Sequence, residues 1–377
     1  MATKVGIIGC GNIFNTYADG LAHFGDRVVV SHIADVDPAR AADAAQRKGI
    51  ERHSTPEELL ADPEVEIVVS LTPPAVHADV TTAALAAGKH VYTEKPLAAT
   101  AAEAAPLFDR AREAGRLLGS APDTVLGSSG QTARAALDAG AIGEVIGFTM
   151  FCSHSRVELW HPDPTFLFSP GGGPLLDTGP YYVTHLVHLL GPVASVSGRT
   201  RIGLPQRRMD FAGSLVDVID VTVPTHAAAV LETASGAIGS YVHSFDVWHH
   251  SHPKIEIYGT LGMLGVPDPN YFGGDVTLQL HRDPEPRVIP PVAPPLAGEG
   301  PGKKSFRGYG VLDLIDALDG APHRTDAALA YHVLEVLEAV QVSSDAGAVV
   351  RIESTVERPA PLADGQLAAW SAAVTAV

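Results

Sequence analysis

The sequence is poor in cysteine: Cys10 and Cys152 are its only two among 377 residues. They lie far apart and form no CxxC or zinc-finger spacing, which argues against a disulfide framework and a structural zinc site. Long uncharged apolar runs are also missing, so we expect no bilayer-spanning segment. The opening residues, MATKVGIIGCG, lack the apolar segment and cleavage site of a signal peptide. Together these absences predict a soluble cytoplasmic protein.

Positive charge is scarce as well, because 26 Lys and Arg residues face 43 Asp and Glu residues, which gives a formal net charge of −17. Such an acidic surface repels phosphate backbones and anionic headgroups, so we expect neither a nucleic acid nor a membrane as partner. Apolar material is plentiful, since 46% of the residues are hydrophobic and 18% are charged. This composition is typical of a globular protein, and the length suits two domains.

Strand and helix patterns alternate over the first third of the sequence. Apolar runs predict strands at residues 4–9, 27–35, 65–71, 89–94 and 116–121, and Ala-rich stretches predict helices at 38–48, 75–87 and 100–114. This alternation is typical of a parallel sheet with helices on both faces. We therefore predict a doubly wound α/β domain over residues 1–122.

The rest of the sequence lacks this rhythm. It predicts strands at 143–152, 227–234, 237–247 and 254–260, and amphipathic helices at 309–320 and 326–344. The segment 284–304 is rich in Pro and Gly and indicates an extended loop. We predict an α+β domain over residues 123–377, with a large, mostly antiparallel open sheet.

A glycine-rich turn follows the first predicted strand, in the segment GIIGCGNIF. Gly9 suits a tight turn, and Gly11 lets a pyrophosphate approach the backbone at the start of the next helix. Phe14 stands where a third glycine is usual, which weakens the match. We predict a Rossmann-type dinucleotide site in which Gly9, Gly11, Asn12 and Ile13 contact the cofactor.

The second predicted strand ends in an acid, Asp35, which lies 24 residues after Gly11. An acid at this spacing binds the ribose 2′-hydroxyl and repels a 2′-phosphate, so NAD is favoured over NADP as the cofactor. Two alternatives stay open. Asp35 also suits a cap for a turn or for the helix after Pro38, and Arg40 is near enough in sequence to neutralise a 2′-phosphate.

Three further segments carry a resemblance to a known family. The stretch TPPAVHADVTTAALAAGKHVYTEKPLA at 72–98 contains the triplet Glu94-Lys95-Pro96. GGGPLLDTGPYY follows at 171–182, and IEIYGTLGML follows at 255–264. In this order and combination they resemble the Gfo/Idh/MocA oxidoreductases, and the resemblance extends over most of the chain.

The resemblance implies an N-terminal NAD-binding domain and a C-terminal domain whose open sheet face mediates homodimers or homotetramers. It implies a sugar or polyol substrate between nicotinamide and sheet, with Lys95 as acid/base; burial beside a positive nicotinamide is expected to lower the pKa of Lys95. Asp177 would support Lys95, although Asp is also a frequent N-cap, here of the helix predicted at 180–190. The family's histidine falls on Tyr181, and His185 follows one helical turn later, so both are candidates for its role.

Other residues are assigned by their place beside these segments. The cofactor groove is predicted to include Thr72, Pro73, His77, Glu94 and Lys95. The substrate pocket is predicted to be lined by Lys95, Asp123, His154, Trp160, Asp177, Tyr181 and Trp248. Four histidines between positions 243 and 253 lack the carboxylate or cysteine spacing of a metal site. We therefore predict no bound metal, and favour sugar stacking on Trp248.

These features predict an NAD-dependent enzyme that oxidises a secondary hydroxyl of a sugar, glycoside or polyol. A redox-neutral glycosidase is the first alternative, in which transient oxidation at C3 and elimination release the aglycone without net NADH. That reaction needs a further base for the C2 proton, for which Tyr181 or a histidine is available. A non-catalytic dinucleotide-binding regulator is the second alternative, and the presence of Lys95 argues against it.

Overall fold

The computed structural model describes residues 2–153, 157–159, 161–210, 212–292, 306–366 and 369–370. Two of the predicted substrate residues, His154 and Trp160, lie outside these ranges. The described residues contain two large sheets, one in each predicted domain, and a separate strand pair. No helix among them is long and apolar enough to span a membrane.

The first sheet is parallel throughout. Its strands are β1 Thr3–Ile8, β2 Val28–Ala34, β3 Arg52–Ser54, β4 Ile67–Ser70, β5 His90–Thr93 and β6 Leu118–Ser120. They lie in the order β3-β2-β1-β4-β5-β6. The order reverses between β1 and β4, and ligands of such sheets bind at the carboxyl ends of the strands beside this point. The predicted doubly wound fold is therefore confirmed.

Helices connect these strands: α1 Phe14–Ala22, α2 Pro38–Lys48, α3 Pro56–Ala61, α4 His77–Ala86 and α5 Ala101–Ala114. The start of α2 shows how the local sequence sets a boundary. Asp37 is its N-cap and accepts hydrogen bonds from the backbone N–H groups of Ala39 and Arg40. Gly49 ends the helix with φ of +66°, a conformation that glycine adopts at little cost. The cap is thus Asp37, and Asp35 does not cap this helix.

The second sheet is larger and mostly antiparallel, as predicted. Its strands are β7 Val145–Ser153, β8 Val193–Arg201, β11 His226–Thr233, β12 Ile238–Ser244, β13 Ile255–Gly259, β14 Gly262–Val266, β15 Thr277–Leu280, β16 Arg287–Val288 and β17 Val350–Arg351, whereas β9 Gln206–Arg208 and β10 Val218–Asp220 form a separate pair. The order is β16-β15-β14-β13-β7-β12-β11-β8-β17. Among these neighbours, β7 and β12 pair in parallel, so their carboxyl ends meet at one edge.

Helices cover one face of this sheet. The remaining helices are α6 Ser128–Asp138, α7 Gly173–Asp177, α8 Gly179–Leu190, α9 Tyr309–Leu318 and α10 Ala327–Ala346. Leu186 of α8 and Val336 of α10 share one buried core with Phe148 and Leu231 of the sheet. The opposite face is open and exposes apolar side chains, among them Ile146, Val230 and Ile238.

Helix α9 returns to the first domain. Its residues Tyr309 and Leu312 are buried in one core with Tyr17 and Phe24, which lie in and just beyond α1. The two sheets still divide near the predicted position, because β6 ends at Ser120 and β7 begins at residue 145. The boundary at 122/123 stays a prediction.

Candidate active site

Lys95 lies where the two domains meet. It follows β5 in the turn that begins with Glu94, so it extends from the carboxyl edge of the parallel sheet. Its Nζ is 3.0 Å from Oδ1 of Asp177 and also donates to the Asp177 carbonyl. The two side chains remain partly exposed, at 16% and 21%. An ammonium group that still reaches solvent, held by a carboxylate, is suited to proton transfer.

The electrostatic surroundings of Lys95 favour its charged form. Burial works against the ammonium, but Asp177, Tyr181 and Glu94 together outweigh it and raise the pKa of Lys95 above its usual value. The direction is opposite to the lowering that burial alone predicts. The protein's own groups therefore favour the protonated form of Lys95, whereas the positive charge of a bound nicotinamide would lower its pKa.

Asp177 does not cap the helix that follows it. It is the last residue of the short helix α7, and the N-cap of α8 is Thr178, whose side chain makes no capping hydrogen bond. The Thr178 hydroxyl instead pairs with Nε2 of His243 on β12, at 2.7 Å. The alternative role of Asp177 as an N-cap is therefore excluded, since the chain breaks between two helices and the carboxylate faces Lys95.

Tyr181 is buried between two cations. Nζ of Lys95 lies 5.5 Å from its ring centroid, and the guanidinium carbon of Arg307 lies 5.4 Å from it. Nη2 of Arg307 also donates to the phenol oxygen at 3.3 Å. Burial raises the pKa of Tyr181 although Arg307 and Lys95 lower it, so the phenol keeps its proton at neutral pH. Tyr181 therefore meets the first requirement for a donor beside Lys95.

His185, the other candidate for this role, is enclosed in the protein. Its Nδ1 lies 3.0 Å from the carbonyl oxygen of Tyr181, one turn earlier, and its Nε2 has no hydrogen-bond partner. Burial lowers the pKa of His185 to about 4, so the ring is neutral at pH 7. The structure brings Tyr181, and not His185, into contact with Lys95.

Glu94 and His77 hold the turn that carries Lys95. Glu94 accepts hydrogen bonds from the hydroxyl of Tyr17 at 2.7 Å and from the Lys95 backbone N–H at 3.0 Å. The His77 ring is fully buried and reaches the carbonyls of Pro96 at 2.6 Å and Thr72 at 2.7 Å. Burial lowers the pKa of His77 despite these carbonyls, so the neutral ring donates to one of them. His77 thus orders the turn and does not itself line an open groove.

The glycine turn leaves space for a ligand. At Gly9, with φ of +104°, a Cβ would lie 2.8 Å from the Leu71 backbone, so β1 and β4 approach closely there. At Gly11, which is exposed, a Cβ would meet nothing within 4 Å. Helix α1 follows with no side-chain cap and no acid in its first turn. Open space in front of uncapped N–H groups fits a pyrophosphate.

Around this turn lie the other predicted cofactor residues. Asn12 is exposed and Ile13 is half-buried, and after β4 Thr72 is half-buried and Pro73 is exposed. Glu94 is 8% exposed at the end of β5. These residues surround the carboxyl ends of β1, β4 and β5, which is where a doubly wound sheet holds a dinucleotide.

Asp35 is tied to the same turn. It accepts hydrogen bonds from the backbone N–H of Cys10 at 2.8 Å and of Asp37 at 2.9 Å, and its carboxylate pairs with Arg40. The next residue, Val36, exposes 86% of its surface. A carboxylate at the edge of β2 beside an exposed apolar side chain fits the ribose and adenine of a dinucleotide.

Asp123 and Trp248, which were predicted to line the substrate pocket, lie outside the group formed by Lys95, Asp177 and Tyr181. Asp123 is fully buried, and one of its oxygens accepts from the backbone N–H groups of Gly308 and Gly310, each at 3.1 Å. The carboxylate is fully enclosed, and its other oxygen has no hydrogen-bond partner among the described residues, so Asp123 does not line an open substrate pocket as expected. Trp248 is 61% exposed and lines a separate cavity of about 260 Å³, with Arg207 and Asp246 among its neighbours.

The sequence pattern missed two residues of the site. Tyr17 looks like a core residue of α1, yet its hydroxyl orients Glu94 from 77 positions away. Arg307 contacts Tyr181 across 126 positions, and in the sequence it is one basic residue among several. No local spacing signals either contact, because each joins segments that lie far apart in the chain.

Two sequence models of one family match the chain. One, described as an oxidoreductase family with an NAD-binding Rossmann fold, covers residues 3–121. The other, described as the GFO/IDH/MocA C-terminal domain, covers residues 131–265. The first range contains the whole parallel sheet, and the second contains β7 to β13 and all but the last residue of β14.

Individual proteins show the same likeness. Levoglucosan dehydrogenase of Pseudarthrobacter phenanthrenivorans is 26% identical over 252 residues, which cover 62% of this chain and 63% of that enzyme, just under two thirds of its length. D-xylose 1-dehydrogenase (NADP(+)) 2 of Haloferax volcanii is 28% identical over 85% of this chain and 91% of that enzyme. A solved structure of levoglucosan dehydrogenase in complex with NADH and levoglucosan superposes with a TM-score of 0.81 at 22% identity, over 94% of this chain and all of the other. Both domains match in order, so this chain belongs to the Gfo/Idh/MocA family and is an oxidoreductase whose first domain is an NAD-binding Rossmann domain.

Proposed function

We propose that the protein is an NAD-dependent dehydrogenase that oxidises a secondary hydroxyl of a sugar, glycoside or polyol, with Lys95 as acid/base. The observation that carries this proposal is the partly exposed Lys95 ammonium between Asp177 and Tyr181, beyond the end of β5. The position is the one at which a doubly wound sheet presents catalytic groups to a bound dinucleotide. Relatives named as dehydrogenases of levoglucosan and D-xylose support the carbohydrate class.

Oxidation of an alcohol removes a hydride from carbon and a proton from oxygen. Bound NAD supplies the hydride acceptor. Lys95, in its neutral form, accepts the hydroxyl proton, and the Tyr181 phenol donates a hydrogen bond to the same oxygen as it becomes a carbonyl. Asp177 orients Lys95 and stabilises the ammonium that forms. In the reverse direction, the Lys95 ammonium donates its proton to the carbonyl oxygen of the substrate.

The cofactor residues support NAD as the preferred dinucleotide. The Asp35 carboxylate is held at the end of β2 by two backbone N–H groups, where its charge disfavours a 2′-phosphate. Arg40 lies 3.2 Å from Asp35 and is half exposed. Because Asp35 already pairs with the Arg40 guanidinium, we expect Arg40 to attract a 2′-phosphate less strongly.

A substrate panel tests the proposal. The purified enzyme is incubated with NAD and levoglucosan, D-xylose, myo-inositol or an aryl glucoside, and the formation of NADH is followed by its absorbance. Net NADH formation supports the dehydrogenase. Release of the aglycone with solvent deuterium at C2 and no net NADH contradicts it in favour of the glycosidase, and dinucleotide binding without any turnover contradicts it in favour of a regulator.

We further propose that the open face of the large sheet joins subunits into a homodimer or homotetramer. Ile146, Val230 and Ile238 expose 61%, 49% and 56% of their surfaces on this face. Exposed apolar side chains on neighbouring strands favour association with another such face. Sedimentation of the wild type against an Ile238→Lys variant tests this; a monomeric wild type contradicts it.

A further inference from the structure

The guanidinium of Arg307 is fixed in a buried position against Tyr181. Arg307 is 7% exposed, and its Nη2 donates to the Tyr181 hydroxyl at 3.3 Å and to Oδ1 of Asn270 at 2.9 Å. The same guanidinium lies over the rings of Tyr181 and Phe272, at 5.4 and 5.5 Å from their centroids. Hydrogen bonds and two aromatic faces thus fix its plane.

The backbone around Arg307 is held by the first domain. Its N–H donates to the carbonyl of Thr16 on α1 at 3.3 Å. Gly20, on the same helix, has no room for a side chain, since a Cβ there would lie 1.9 Å from the Arg307 carbonyl oxygen. Asp123 accepts hydrogen bonds from the N–H groups of the following Gly308 and Gly310. The helix after the glycine turn therefore sets where the guanidinium lies.

This contact decides which way the Tyr181 proton points. A guanidinium has only donors, so the phenol oxygen must accept from Arg307, and its own O–H is left for a different acceptor. Among the described residues no acceptor bonds to it. Lys95 lies against the same ring and has no acceptor to offer while it is protonated. The remaining acceptor that this arrangement suits is a substrate oxygen beside Lys95.

We propose that Arg307 is a positioning residue, which holds the Tyr181 hydroxyl so that its proton is donated to the reacting oxygen of the substrate. The inference rests on the proposed dehydrogenase function and extends it by a residue that lies just before α9. Arg307 thereby makes the geometry of the proton donor depend on α1, the helix that begins at the cofactor turn.

Kinetic coupling between the two residues is the first test. Arg307→Met should lower kcat about a hundredfold with the KM for NAD unchanged, which is the cost of misplacing a reacting group by about 1 Å. In a Tyr181→Phe background the same substitution should cause little further loss, because Arg307 acts through the phenol. Full additivity of the two losses would overturn the proposal. Arg307→Lys, which keeps a charged donor, should recover part of the activity.

Arg134→Met is the matched control. Arg134 is equally buried and binds the carbonyl of His188 at 2.9 Å, near the other end of α8. Its loss should lower the melting temperature without changing kcat. If Arg134→Met lowers kcat as much as Arg307→Met does, the effect of Arg307 is merely structural and the proposal fails.

A second readout does not need turnover. Difluorotyrosine, a more acidic phenol, replaces Tyr181 alone, and its titration is followed by ¹⁹F NMR with Arg307 present and in the Arg307→Met variant. Removal of the cation should raise the phenol pKa, because Arg307 stabilises the phenolate. An unchanged titration overturns the proposal. If no sugar is oxidised but this pKa shift appears, the proposed function has failed while the contact of Arg307 with Tyr181 stands.

Discussion

The Lys95 ammonium lies 3.0 Å from Oδ1 of Asp177, although 82 positions separate the two residues in the chain. Lys95 belongs to the turn after β5 in the first domain, and Asp177 ends α7 in the second. This pair therefore bridges the domains at the proposed site of proton transfer. It also explains why the pKa of Lys95 is raised despite burial.

Replacement of Asp177 by Asn should shift the pH profile of oxidation toward acid. Asp177 raises the pKa of Lys95, and oxidation needs the neutral amine, so the wild-type rate rises with pH up to that pKa. Without the carboxylate, the rising limb of kcat/KM should move down by about 1 to 3 pH units. A control, Asp138→Asn, removes a carboxylate that pairs with Arg358 and should leave the profile unchanged. An unshifted profile in Asp177→Asn would contradict the assignment of Lys95.

His185 should matter for acid stability and not for turnover. Its folded-state pKa of about 4 lies below the ordinary value of 6.5, so the unfolded chain binds the proton first as the pH falls. Stability is then unaffected above about pH 6.5 and falls below it, by about 2 kcal/mol between pH 7 and pH 5 from this one group. Urea unfolding at both pH values should show a smaller difference for His185→Gln. A large loss of kcat at pH 7 in this variant would instead make His185 catalytic.

The two glycines of the cofactor turn should respond differently to alanine. Gly11→Ala should keep the melting temperature, because its Cβ meets nothing within 4 Å, but should abolish the enhancement of NADH fluorescence on binding. Gly9→Ala should destabilise the fold by about 1–3 kcal/mol, because φ is +104° and the new Cβ would lie 2.8 Å from the Leu71 backbone. Normal NADH binding by Gly11→Ala would exclude this turn as the pyrophosphate site.

Asp35→Asn should weaken the preference for NAD over NADP. The loss of a charged acceptor costs about 1.5–3 kcal/mol, which corresponds to roughly a tenfold to hundredfold change in the ratio of the two affinities. Asp37→Asn is the control, because Asn caps a helix about as well as Asp, and its ratio should stay at the wild-type value. Equal ratios in all three proteins would show that Asp35 does not select the cofactor.

The sequence predicted what depends on local pattern. Apolar runs predicted five strands of the parallel sheet, and Ala-rich stretches predicted three of its helices. In contrast, β3 and α3, at three and six residues, were too short to be recognised. The triplet with Lys95 and the segment with Asp177 were recognised through the family resemblance. The chemistry of each alone does not distinguish it from a surface lysine or a helix cap.

The errors arise where distant chain segments satisfy a polar group. Asp123 was expected to face substrate, but it is fully buried and accepts hydrogen bonds from the backbone N–H groups at 308 and 310. Asp177 was expected to support Lys95, and its alternative role as the N-cap of α8 is excluded because the break at Thr178 turns its carboxylate toward Lys95. The contact between Arg307 and Tyr181 spans 126 positions and has no local signature, so it required the folded chain.

The most direct test is the turnover of Lys95→Met with the best sugar of the panel and saturating NAD. Lys89→Met is the matched control, because Lys89 is buried and donates to the carbonyls of Asp62 and Val65 away from the site. We expect Lys95→Met to bind NADH normally and to lose about a thousandfold in kcat, within the range for loss of a general acid/base, while Lys89→Met keeps its kcat. A Lys95→Met enzyme that oxidises the same sugar at the wild-type rate would contradict the account.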